Sequence, residues 1–119
     1  MEINSASPLI IGHRGASTYA PENTLSAFRL AMDEGADGLE FDVRITKDGV
    51  PVVFHDSTLR RLAGKGIAVR NHSMHELEAF DVGAWFNVKY PARAGGRIFK
   101  EKIPTLEGFL EFLGDYKGL

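Results

Sequence analysis

The sequence contains no cysteine, which excludes a disulfide framework, a thiolate nucleophile and a Cys-ligated zinc site. It has no strong excess of one charge: 14 Lys and Arg stand against 16 Asp and Glu, a formal net charge of -2. That balance, with a pI near 6.1, offers no electrostatic footprint for nucleic acid or an anionic membrane. Long hydrophobic runs are also missing. Runs such as Leu9 to Ile11 and Val52 to Phe54 are only a few residues long, far short of a bilayer span, so no stable membrane insertion is expected. Met1-Glu2-Ile3-Asn4 lacks the basic start and apolar stretch of a secretory signal, and a cytoplasmic protein is expected. What remains is ordinary: 119 residues, 44% hydrophobic and 25% charged, the composition of one folded domain.

The pattern along the chain alternates between strand and helix. Pro8-Leu9-Ile10-Ile11-Gly12 is a short apolar run ending on glycine and predicts a buried strand. A polar loop follows, in which Asn23 or Thr24 is placed to cap a helix. Leu25, Phe28, Ala31 and Met32 fall on one face of that helix, and Gly35 stands where a left-handed stop belongs. In residues 38–45 the period changes to two. Leu39, Phe41, Val43 and Ile45 alternate with Glu40, Asp42 and Arg44, which predicts one strand with an apolar and an ionised face. Lys47-Asp48-Gly49 turns the chain back into Val50-Pro51-Val52-Val53-Phe54, and Pro51 suggests an edge position. Residues 56–102 read as an irregular insertion with one short helix, opened by the capping box Ser73-Met74-His75-Glu76. Pro104-Thr105 opens a last helix with Leu106, Phe109, Leu110 and Leu113 on one face and Gly114 as its stop. The order implies an α/β protein on parallel strands.

Two polar groups sit at the C-terminal ends of predicted strands, where parallel α/β proteins bind ligands. One is Gly12-His13-Arg14-Gly15; the other is Glu40 and Asp42, followed after the hairpin by His55-Asp56. On a single strand Glu40 and Asp42 would stand ~7 Å apart on one side. Such a pair repels unless a cation or proton intervenes, and its oxygens suit Mg²⁺ or Ca²⁺. A solvated strand face is the competing reading for the pair. Arg14 offers a fork of donors that fits phosphate, and a salt bridge to Glu22 or Asp42 is its competing use. His13 has a turn or core role as its alternative, and His55 a hairpin-end bond to Asp56. His72 and His75 have no carboxylate cluster and read as surface residues. Two imidazoles, two carboxylates and a guanidinium suit phosphodiester cleavage, in which a poor alkoxide leaving group needs an acid.

Four segments make the sequence resemble the glycerophosphodiester phosphodiesterase family: Ile11-Gly12-His13-Arg14-Gly15-Ala16, Pro21-Glu22-Asn23-Thr24, Gly38-Leu39-Glu40-Phe41-Asp42-Val43, and residues 48–56 from Asp48-Gly49 to His55-Asp56. Gly83-Ala84-Trp85-Phe86 and Ile103-Pro104-Thr105-Leu106 match as well, so the resemblance runs from about Leu9 to Leu113. It implies a (β/α)8 TIM-barrel fold and hydrolysis of small glycerophosphodiesters to glycerol 3-phosphate and an alcohol with a divalent cation. It further implies that His13 and His55 are the acid–base pair, Arg14 contacts phosphate, and Glu40 and Asp42 ligate the metal. Residues 56–102 would be the family's insertion over the substrate's glycerol end.

A full barrel of this type takes about 250 residues; the chain has 119. Residues 1–119 are therefore expected to be the N-terminal portion of one such domain, the first two βα units plus the insertion. The family's further glutamate ligand and a nearby basic residue belong to the third strand, beyond this chain. A fragment, a truncated relative, or a homo-oligomer of several copies would each account for the length. A non-catalytic phosphate- or metal-binding module is the alternative function. A phospholipase D-like toxin on a related barrel is disfavoured, because such proteins are secreted and disulfide-bonded.

Overall fold

The computed structural model describes residues 8–115; the N-terminal stretch read above for a secretory signal lies outside them. β1 (Ile11–His13) and β2 (Gly38–Glu40) pair in parallel, with His13 opposite Glu40. The crossover between them is α1 (Leu25–Asp33). Thr24 caps this helix by accepting from the Ala27 N–H. Gly35, at φ 85°, takes the left-handed turn at its end, where only glycine is free of a Cβ penalty. The strand expected at Pro8 to Gly12 is shifted and is not buried: Ile10 is 64% and Ile11 52% exposed. β1 has a strand neighbour on one edge only, and a parallel strand is buried only when both faces are covered.

Residues 38–45 do not form one strand. β2 stops at Glu40, and β3 (Val43–Ile45) belongs to a separate antiparallel hairpin with β4 (Pro51–Val53). Asp42 lies in the break. Its N–H donates to Asn23 Oδ1 (3.4 Å) and its carbonyl accepts from the Phe54 N–H (2.9 Å), so its backbone is spent outside the β1–β2 ladder. The expected apolar face splits accordingly: Phe41 packs inward, whereas Val43 and Ile45 are exposed. Gly49 supplies the hairpin's positive φ, 79°.

β4 joins the core on both faces. Val52 and Phe54 pack with Leu59, Leu62, Leu77 and Ile103. Val53, pointing the other way, packs with Phe28 and Phe109. The period-2 alternation of a strand thus ties residues 56–102 to one side of the hairpin and the helices to the other. The insertion holds more structure than the single helix expected. It contains α2 (Arg60–Ala63), a 3-10 turn at Val69–Asn71, α3 (Met74–Leu77), α4 (Ala84–Lys89) and α5 (Pro91–Ala94). These turns are too short to show a 3.6 period in sequence, and only α3 carries the predicted capping box. A second cluster, Ala20, Ala27, Phe86, Ala94 and Phe99, fixes α4 and α5 to α1.

The last helix is α6 (Leu106–Asp115). Thr105 Oγ1 accepts from the Gly108 N–H at 2.9 Å. Gly114 lies inside the helix and does not stop it. Of the four residues expected on its buried face, Phe109 is fully buried, Leu106 and Leu113 are partly so, and Leu110 is exposed. Among the described residues no helix is long and apolar enough to cross a membrane.

Candidate active site

Of the sequence-predicted residues, the fold brings His13 to Glu40 and Arg14 to Asp42, and places His55 after the separate hairpin. His13 closes β1, and its Nε2 lies 3.1 Å from Glu40 Oε2 at the end of β2. Arg14 follows at φ 55°, a left-handed conformation costly for a side chain with a Cβ. It is held there on both backbone sides: its N–H donates to the Glu40 carbonyl (2.8 Å) and its carbonyl accepts from the Asn23 N–H (2.9 Å). Strain of this kind persists where the surroundings over-determine it. Gly15, at φ 82°, packs so closely on α1 that a Cβ would lie 2.6 Å from the Ala27 carbonyl carbon.

The Arg14 guanidinium pairs with both partners weighed for it. Nη1 donates to Glu22 Oε2 at 3.1 Å, and Nε lies 3.1 Å from Asp42 Oδ2 without the alignment of a hydrogen bond. Asp42 Oδ2 also accepts from Asn23 Nδ2 at 3.0 Å. Glu40 and Asp42 do not share one strand face, since the chain breaks between them. Glu40 faces His13, and Asp42 faces Arg14 and Asn23.

His55 stands two residues beyond β4. Its Nδ1 lies 2.7 Å from Asp56 Oδ1, and its carbonyl accepts from Arg44 Nε at 2.8 Å. Arg61, bonded side-on, and then His55 hold the Asp56 carboxyl well below its usual range, at about 2. An ionised carboxylate only accepts, so Nδ1 must carry the proton and Nε2 is left for chemistry. Because the folded pKa lies below that of the unfolded chain, Asp56 adds stability above about pH 4. That stability is lost as pH falls from about 4 towards 2. Urea midpoints taken across this window should fall for the chain and fall less for Asp56→Asn.

Sequence reasoning missed Arg61 and gave Asn23 only a capping role. Asn23 is buried, at φ 56°, and aligns Asp42. Arg61 is one of two adjacent arginines with no pattern to distinguish it; only the start of α2 turns it towards Glu22 and Asp56. Its guanidinium reaches both, through Nη1 to Glu22 Oε1 at 2.7 Å and Nε to Asp56 Oδ2 at 2.9 Å. His72 and His75 stand apart on the insertion, beside Glu76 and Glu78.

The donor chemistry at the strand ends fits a divalent cation. Four carboxylates stand here: Glu22, Asp42 and Asp56, paired with the guanidiniums of Arg14 and Arg61, and Glu40, paired with His13. An array with more carboxylates than guanidiniums repels a phosphodiester anion unless a cation offsets it. The number of ligands is small, however. Among the described residues no group of three or more His, Cys, Asp or Glu side chains is arranged to hold a metal. A cleft of about 470 Å³ runs beside β1, lined by Ile11, Gly12 and the loop Gly15 to Tyr19; of the five predicted site residues, His13 opens onto it.

The chain is similar to known proteins along most of its length. The sequence profile of the Glycerophosphoryl diester phosphodiesterase family matches residues 13–117. The chain belongs to this family. A Bacillus subtilis glycerophosphodiester phosphodiesterase is 38% identical over 108 residues, covering 91% of this chain and 37% of its own length. The Agrobacterium tumefaciens glycerophosphodiester phosphodiesterase structure superposes with a TM-score of 0.78 at 38% identity, covering 90% of this chain and 43% of that one. An Oleispira antarctica phosphodiesterase, solved in complex with the product sn-glycerol-3-phosphate, superposes with a TM-score of 0.77 at 37% identity, covering 94% and 42%. The chain therefore spans about 40% of the length of these relatives, and its fold corresponds to part of their TIM barrel.

Proposed function

We propose that this chain carries the acid–base and cation-binding part of a phosphodiesterase that hydrolyses glycerophosphodiesters to glycerol 3-phosphate and an alcohol. In fold terms it supplies the first two βα units of a (β/α)8 barrel and the insertion after the second strand. The observation that carries this reading is the parallel register that sets His13 against Glu40, with Arg14 and Asp42 in the next links of one polar array. The bound product of the Oleispira antarctica relative supports a glycerol phosphate as the group recognised.

His13 and His55 divide the proton work: one removes a proton from the attacking oxygen, the other donates one to the departing alkoxide, and the net reaction consumes one water. One P–O bond forms as the other breaks. Asp56 keeps His55 in the tautomer with a free Nε2. Glu40 and Asp42 would hold a divalent cation, Mg²⁺ or Ca²⁺, which when bound supplies charge to offset the non-bridging phosphate oxygens. Arg14, steered by Glu22, places a guanidinium at the same end.

A second reading, phosphate or metal binding without turnover, is favoured by one observation: among the described residues no three His, Cys, Asp or Glu side chains are grouped to hold the metal that turnover would need. The two readings separate in an enzyme-coupled assay for glycerol 3-phosphate. The 119-residue chain is given glycerophosphocholine with Mg²⁺ or Ca²⁺, beside His13→Ala and His55→Ala. Turnover that EDTA and either substitution abolish is expected under the first reading. Phosphate or metal binding by calorimetry, with no release, would establish the second. Light scattering on the same samples tells whether activity belongs to a monomer or to an assembly of copies.

A further inference from the structure

Arg61 touches none of the residues assigned above to proton transfer, phosphate or cation, yet it contacts the partner of two of them. Its Nε and Nη2 donate to Asp56 Oδ2 (2.9 Å) and Oδ1 (3.0 Å). Its Nη1 and Nη2 donate to Glu22 Oε1 (2.7 Å) and Oε2 (2.8 Å). Two edges of one planar guanidinium are thus used side-on by two carboxylates, the arrangement that most restricts orientation. Beyond each carboxylate lies one site residue: His55 Nδ1 on Asp56 (2.7 Å) and Arg14 Nη1 on Glu22 (3.1 Å).

These two arms come from distant parts of the chain. Arg14 and Glu22 lie on the loop between β1 and α1, and His55 and Asp56 follow the hairpin. The backbone hydrogen bonds that align β1 with β2 do not set β4 against that loop. Arg61, on the first helix of the insertion, bridges them. We infer that Arg61 is a positioning residue that sets the His55 imidazole and the Arg14 guanidinium in one register, so that the insertion organises the site. This rests on the phosphodiesterase reading for its consequence in turnover, but not for its consequence in geometry.

The geometry is measurable without turnover. With Asp56 fixed side-on by Arg61, the neutral His55 ring keeps its proton on Nδ1. Freed from that restraint, an imidazole reverts towards the Nε2–H tautomer that histidine prefers in water. Two-bond nitrogen–proton NMR spectra of the ¹⁵N-labelled 119-residue chain read this directly, with His55 assigned by the loss of its signals in His55→Ala. Arg61→Gln is expected to move the ring towards Nε2–H. Arg61→Lys keeps the charge but cannot serve two carboxylates side-on, and is expected to do the same if Arg61→Gln fails to fold. A ring signature like that of the unsubstituted chain in either folded variant overturns the inference.

Turnover supplies a second readout. Below the melting temperature, Arg61→Gln is expected to lose kcat on the order of 100-fold, as for a misplaced catalytic group. The Asp56→Asn, Arg61→Gln pair should lose less than the product of the two single losses, because the two share the His55 arm while Arg61 alone also acts on Arg14 through Glu22. A fall in Tm with kcat retained, or losses that multiply in the pair, would reduce Arg61 to a structural ion pair and overturn the inference. If the unsubstituted chain releases no glycerol 3-phosphate, turnover is not a property of these 119 residues by themselves, and the ring spectra alone decide the role of Arg61.

Discussion

Glu22→Ala is expected to cost about 3–5 kcal/mol of folding stability, the range for removing one partner of a buried ion pair. Glu22 is 8% exposed and accepts from Arg14 through Oε2 and from Arg61 through both oxygens. Its removal leaves two guanidiniums facing each other without the carboxylate between them, Arg14 held by Asp42 and the half-exposed Arg61 by Asp56. The repulsion and the unmade hydrogen bonds fall on the same few atoms, so their costs reinforce each other. Small domains are stable by only about 5–15 kcal/mol, so this one change brings the chain close to unfolding. Glu22→Gln keeps the shape and one acceptor oxygen but not the charge, and should fall between the two. Urea unfolding at pH 7 by circular dichroism checks the order: unsubstituted chain, Gln, Ala. A Glu22→Ala midpoint equal to that of the unsubstituted chain would mean that water replaces the carboxylate at no cost, and that the array is not a closed network.

Phe109→Ala is expected to be as damaging, at about 3–5 kcal/mol, for a different reason. Phe109 is fully buried, with ring centroids 4.5 Å from Phe28 and 4.7 Å from Phe41. These three rings join α1, the break after β2 and α6, and Val53 of β4 packs on the same cluster. Truncation opens a cavity where three elements meet, and none of them can close it without moving a strand end of the site. The adjacent Leu110 provides the control. It is exposed, so Leu110→Ala should change stability by no more than about 0.5 kcal/mol. Equal losses for the two variants would mean that α6 does not dock through the face described.

The contrast between Phe109 and Leu110 also shows where a linear reading stops. A hydrophobic period of 3.6 places both on one side of the helix, but the width of the buried stripe depends on what lies opposite. Here β4 and α1 fill only the Phe109 side. The same limit explains residues 38–45. Perfect alternation predicts one strand, yet Asn23, fifteen or more residues earlier, takes the Asp42 backbone N–H and splits the strand into two sheets. An alternation score has no access to a long-range side-chain bond.

Several features were decided by the sequence alone, because their causes are local. The Ser73 capping box, the Thr24 cap and the positive-φ turns at Gly35 and Gly49 each depend on residues a few positions apart. The parallel α/β order, and the location of His13, Arg14, Glu40, Asp42 and His55 at strand ends, follow from strand and turn punctuation. Family membership was legible too, since motif order survives without coordinates. Tertiary structure alone decided what these groups bond to. It paired His13 with Glu40, divided Arg14 between Glu22 and Asp42, and brought Arg61 from the insertion to Asp56 and Glu22. Those pairings depend on how three core clusters set the insertion, the hairpin and the β1–α1 loop against one another. Such packing is a property of the whole chain, which no window of neighbouring residues contains.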